Sequence, residues 1–128
     1  TRYIGDWSSD VCSSDLYCES NDMVVTSYGP FMKGEALVMP SIISLAQKYN
    51  KTPAQIIIRY LIDRKIIAIP KSIHYDRIEE NFNVFDFKLS QSDINEILNS
   101  NQGKRVYLDP DNRPGILTCE LDYFPMDF

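Results

Sequence analysis

Lys71, Ser72 and Arg77 bring two cations and a hydroxyl together just after the apolar run Ile66-Ile67-Ala68-Ile69-Pro70. At the carboxyl end of a strand and the start of a helix, these are the groups that bind a phosphate. The helix start contributes unpaired N–H groups and the positive end of its dipole, the hydroxyl a further donor, and the cations full charge. The same residues admit a purely structural reading, in which Ser72 caps the helix and Arg77 pairs with Glu79 or Glu80 on a solvated face. Residue types and spacing leave both readings open.

Other reactive side chains carry less. His74 is the only histidine, and its place in the turn after Ser72 reads as a solvated turn residue rather than a general base. Asp109, Asp111 and Glu120 fall at positions one, three and twelve of a calcium-loop count, but Pro114 stands where that loop needs glycine. Cys18 and Cys119 have no CxxC partner and no adjacent basic residue, so both read as ordinary thiols. No P-loop, G-x-S-x-G, HExxH or Rossmann glycine fingerprint is present.

The elements that must position the phosphate site follow from pattern. Met23 to Tyr28 is short and β-branched and stops at Gly29-Pro30, the mark of a buried strand ending in a turn. From Pro40, the apolar residues Ile42, Ile43, Leu45, Ala46 and Tyr49 recur at three- and four-residue spacings, which predicts an amphipathic helix. Thr52, Pro53 and Gln55 form the start signal of a second helix, a capping box whose apolar face is Ile56, Ile57, Tyr60 and Leu61. Ile66 to Ile69 predicts a strand buried on both faces, as in parallel sheets. Tyr75 to Val84 predicts a further helix, and Ser90 with Asp93 opens another. The fold class is therefore α/β. Two parallel strands with four helices do not close a sheet, so the segment is expected to be incomplete as a domain.

Composition bounds the function. The chain has 128 residues and a net charge of -5 without a basic block, which speaks against nucleic acid as a partner. No apolar run approaches the ~20 residues that span a bilayer, and no signal peptide is read, so no membrane partner is expected. Three cysteines are too few and too scattered for a disulfide scaffold, which favours a reducing, cytoplasmic location.

Residues 1–16 stand apart. Gly5 to Leu16, GDWSSDVCSSDL, resembles over twelve consecutive residues the translation of a sequencing-library adapter, and residues 1–16 are read as a non-native segment that would not pack. Without them the balance is twelve basic to fifteen acidic residues, a net charge of -3. The organisation expected is a non-native segment at 1–16, an α/β portion at 17–102 and a tail at 103–128.

The motifs now form a resemblance. Ile69-Pro70-Lys71-Ser72, the following Arg77-Ile78-Glu79-Glu80-Asn81 and NFNVFDFKLSQSDI at 81–94 resemble the carboxyl-terminal signature of the aldo-keto reductases. VVTSYGP at 24–30 is similar to the penultimate barrel strand of that family, and TPAQIIIRYLIDR at 52–64 to its last barrel helix. The resemblance implies the C-terminal portion of a TIM-type (β/α)8 barrel that binds NADPH and reduces aldehydes or ketones by hydride transfer.

Residue by residue, it implies that Tyr28 stacks on the nicotinamide, that Gly29, Pro30 and Phe31 line the pyrophosphate, that Lys71, Ser72 and Arg77 bind the 2′-phosphate, and that Glu80 and Asn81 meet the adenine. Where the family has Tyr-Ser-Pro-Leu-Gly, this chain has Tyr-Gly-Pro-Phe-Met at 28–32, so a serine hydroxyl and a glycine are missing. The catalytic tyrosine, lysine, aspartate and histidine of the family belong to earlier strands, and none is carried onto this chain. The expected parent is a reductase of small carbonyl substrates, monomeric when complete, and the chain alone is expected to be inactive. The alternatives are a non-catalytic nucleotide-binding or regulatory protein of the same fold and a piece that does not fold in isolation. Tyr107, Tyr123 and Phe124 in the tail suggest an apolar lid.

Overall fold

Three parallel strands organise the computed structural model, which describes residues 17–100 and the backbone of residues 2–4. Strands β1 (Arg2–Ile4), β2 (Val25–Tyr28) and β3 (Ile67–Ile69) form one sheet in the order β1-β2-β3. Arg2 stands opposite Val25 and Tyr28 opposite Ile69. The two strands expected from pattern are both present and parallel. The third corrects the expectation that nothing in residues 1–16 would pack: Arg2–Ile4 pairs with β2 through backbone groups, which any short extended segment can offer. Gly5 to Leu16, Cys119, the Asp109–Glu120 count and the tail with Tyr107, Tyr123 and Phe124 lie outside the described residues.

The crossover from β2 to β3 runs through a 3-10 segment (Met32–Val38) and two helices, α1 (Pro40–Tyr49) and α2 (Pro53–Asp63). The 3-10 segment had no signal in the sequence pattern. It is broken by left-handed backbone at Lys33 (φ 56°) and Gly34 (φ 97°), and Met32 before them also has positive φ, at 50°. α1 ends at Asn50 in the left-handed region (φ 52°), with the Lys51 N–H closing on the Ala46 carbonyl at 2.9 Å. α2 begins with the predicted capping box: Thr52 Oγ1 accepts from the Gln55 N–H at 3.3 Å, and Gln55 Oε1 accepts from the Thr52 N–H at 3.0 Å. It stops at Lys65, also left-handed (φ 59°), from which the chain turns directly into β3.

After β3 come α3 (Tyr75–Phe82) and α4 (Gln91–Asn99). α4 starts on the predicted Ser90–Asp93 capping box. The core gathers Cys18, Val25, Ile42, Leu45, Ile56, Ile57, Leu89 and Ile97 between the sheet and helices α1, α2 and α4. At ~25 cal/mol per Å² of apolar surface removed from water, this cluster is the main favourable contribution to folding.

One expectation fails. Ile66–Ile69 reads as a strand buried on both faces, yet Ile67 and Ile69 are each 51% exposed. β3 has β2 on one side only among the described residues, and Ile67 faces an open apolar cavity rather than close-packed neighbours. A β-branched run records what a strand is built to contact, and the contacts themselves come from neighbouring elements. No helix of the described residues is long and apolar enough to cross a membrane.

Candidate functional site

A polar stripe on α2 determines where the next segment lies. Gln55, Arg59 and Asp63 recur every fourth residue, so they share one face of the helix. Gln55 Nε2 donates to the Glu80 carbonyl at 3.1 Å and to the Asn83 carbonyl at 3.0 Å. Arg59 Nη1 donates to the Val84 carbonyl at 3.1 Å, and Asp63 Oδ2 accepts the Leu89 N–H at 3.0 Å. Arg59 and Asp63 also pair with each other at 2.5 Å, both nearly buried. The backbone from Glu80 to Leu89 is thus bonded along the length of α2.

That anchoring places α3 beside the first turn of α2, and a cavity of about 490 Å³ opens between them. Phe31 and Leu37 line it from the 3-10 segment, and Thr52, Pro53 and Ala54 from the start of α2. Lys71, Ser72, Ile73 and His74 line it from the turn after β3, and Arg77, Glu80 and Asn81 from α3. Six residues singled out from the sequence therefore converge: Phe31, Lys71, Ser72, Arg77, Glu80 and Asn81. Gly29 and Pro30 are not in its lining, and the side chain of Tyr28 lies outside the described part of the structure. The backbone of Tyr28 ends β2, and Gly29 directly after it adopts φ 64°. That left-handed conformation suits glycine.

The residue that opens α3 is His74, with no side-chain cap. Ser72 Oγ accepts the His74 N–H at 3.2 Å and donates to the His74 carbonyl at 3.3 Å, so it shapes the turn and does not cap the helix. Among the described residues neither Lys71 nor Arg77 has a carboxylate partner. Two cations, a hydroxyl and the start of an eight-residue helix thus border one cleft, a donor set that fits a phosphate ester. His74 is exposed in that lining, as expected of a turn residue.

Thr52, Pro53 and Ala54 are lining residues that motif reading assigned only to a helix start. The available signal was the capping box itself, since a cap lies at a helix end and helix ends border clefts. A second cavity, about 590 Å³, lies on the other side of α3 against β3, between Ile62, Ile67, Ile78 and Phe82. It is apolar and holds no cation cluster; Asn81 lies between the two.

The aldo/keto reductase family model matches residues 20–102. The chain belongs to this family. It is 45% identical over 96 residues to an uncharacterised oxidoreductase of Bacillus subtilis, a match covering 75% of this chain and 34% of that protein. To the methylglyoxal reductase DkgA of Escherichia coli it is 45% identical over 91 residues, 70% of this chain and 33% of that protein. A solved aldo-keto reductase of Bombyx mori in complex with NADP superimposes with a TM-score of 0.75 at 32% identity, over 85% of this chain and 39% of the other. The chain spans about a third of the length of the curated relatives it matches. Its strands and helices are a portion of the family's TIM-barrel architecture.

Proposed function

We propose that this chain carries the adenosine-phosphate clamp of an NADPH-dependent aldo-keto reductase acting on small aldehydes or ketones. The observation that carries the reading is the single cleft onto which Lys71, Ser72, Arg77, Glu80 and Asn81 converge. Lys71 and Arg77 would hold the 2′-phosphate with charge-assisted bonds, Arg77 through its planar fork and Lys71 as a point charge. Ser72 would add a donor, and Glu80 and Asn81 would meet the adenine. Phe31, with Gly29 and Pro30 before it, would follow the pyrophosphate toward Tyr28, whose ring would stack on the nicotinamide. When bound, the cofactor supplies the hydride that reduces the carbonyl carbon.

The four residues that would protonate and orient the carbonyl are not carried onto this sequence, so the chain by itself is proposed to bind and not to turn over. The NADP complex of the silkworm relative and the reductase named in Escherichia coli support the reading. Calorimetric titration of the chain with NADPH and NADH tests it, since the two differ only in the 2′-phosphate. Binding of NADPH at least about tenfold tighter, weakening as salt rises, is expected. Equal affinities would overturn the clamp, and aldehyde-dependent NADPH oxidation lost on His74→Ala would overturn the assignment of catalysis elsewhere.

A further inference from the structure

Helix α3 carries three of the clamp residues yet buries none of its own side chains. Tyr75, Ile78 and Phe82 on it are all exposed, so apolar packing contributes little to its position. Bonds from the first turn of α2 do more. The Gln55 amide is 8% exposed and fully used, Oε1 in the capping box and Nε2 on the carbonyls of Glu80 and Asn83. The Thr52 hydroxyl completes the join by donating to Glu80 Oε1.

We infer that Thr52 is a positioning residue of the adenosine-phosphate cleft, its hydroxyl holding the Glu80 carboxylate where α3 presents it to the adenine. A hydroxyl has one proton and two lone pairs. The cap of α2 uses a lone pair, through the Gln55 N–H, so the proton is directed to an acceptor, and that acceptor is Glu80. A carboxylate held by one oxygen keeps the other for a donor such as the exocyclic amino group of adenine. The bond also reduces the charge density of an acid that borders the cleft with Lys71 and Arg77, where an anion is to be received. Thr52 therefore does two things at once, starting α2 and orienting Glu80, and only the second bears on the ligand. The inference rests on the cofactor reading proposed above.

The test is a double-mutant cycle on the affinity of the full chain for adenosine 2′,5′-bisphosphate, which contains the adenine and the 2′-phosphate without the nicotinamide. Thr52→Val is expected to weaken binding about fivefold or more, and Thr52→Ser to restore it. In a Glu80→Ala background Thr52→Val is expected to change affinity by less than about twofold, because the group it orients is gone. An equal loss in both backgrounds would reduce Thr52 to a helix cap and overturn the inference. If Thr52→Val does not fold, Thr52→Gly serves in its place, since glycine starts a helix nearly as well and has no hydroxyl. Failure of the unaltered chain to bind would overturn the cofactor reading and this inference together. Binding weakened by Lys71→Ala and Glu80→Ala but indifferent to Thr52 would overturn the inference alone.

Discussion

The Lys48 ammonium grips both carboxylate oxygens of Asp93, at 2.7 and 2.9 Å, and so ties the last turn of α1 to the first turn of α4. Asp93 is buried, and it also accepts from Tyr49 Oη at 2.5 Å and from Ser90 Oγ at 2.6 Å. Burial by itself raises the affinity of this carboxyl for a proton. The bonds from Lys48, Ser90 and Tyr49 outweigh that and hold it well below the usual carboxylate range. Lys48 moves in the complementary direction, raised chiefly by its bond to Asp93.

A carboxyl whose folded-state pKa is depressed adds stability that is complete above its unfolded value of ~4 and is lost as pH falls toward the folded value. Urea unfolding of the chain is therefore expected to show a midpoint that declines below about pH 4. Asp93→Asn should lower stability at pH 7 by about 2 kcal/mol and flatten that acid dependence. An unchanged acid limb in the variant would contradict the assignment.

Asp63 anchors the segment after α3 through two bonds, to Arg59 and to the Leu89 N–H. Asp63→Ala leaves a nearly buried guanidinium without its carboxylate and an amide without its acceptor. A loss of about 3 kcal/mol is expected by urea titration, with Asp63→Asn losing less because it still offers one oxygen to Leu89.

Of the non-glycine residues that hold left-handed backbone, Lys65 and Met32 make opposite cases. At Lys65 (φ 59°) the side chain is exposed, and its ion pair with Glu19 spans 3.7 Å in solvent, so little is lost with it. Lys65→Gly should raise stability by about 0.5–1 kcal/mol. At Met32 (φ 50°) the same relief competes with a side chain that is only 7% exposed, worth ~2 kcal/mol of burial. Met32→Gly should therefore destabilise, by about 1 kcal/mol net. The opposite signs of the two variants in one thermal-melt experiment check the argument.

Lys71→Ala and Arg77→Ala should each weaken NADPH binding about tenfold and leave NADH binding nearly unchanged. Each should also flatten the salt dependence of NADPH binding, because one cation fewer meets the phosphate. A parallel loss for both nucleotides in calorimetry would place these cations away from the 2′-phosphate.

Much of this was legible in the chain because it is local. Both capping boxes, Thr52 with Gln55 and Ser90 with Asp93, stand in the structure at the positions their spacing dictates. A cap involves residues three apart, and no distant partner can move it. The strand ends at Tyr28 and Ile69 likewise follow from the adjacent turn residues. The 3-10 segment after Phe31 was illegible, since three successive positive φ values at Met32, Lys33 and Gly34 are marked by only one glycine. The exposure of Ile67 and Ile69 was also missed, because burial of a strand depends on what lies beside it.

By itself the sequence determined the α/β order of elements, the helix starts and the cluster of Lys71, Ser72 and Arg77 after a strand, all properties of residues close along the chain. Only the tertiary structure decided that Thr52 and Phe31 share a cleft with Arg77 and Glu80, and that Ser72 shapes a turn instead of capping a helix. It also decided that α3 is held by polar bonds from α2 and not by its own apolar residues. The physical reason is distance along the chain: Thr52 and Glu80 are 28 residues apart, and their meeting is set by the packing of α2 against the sheet, which no local pattern encodes.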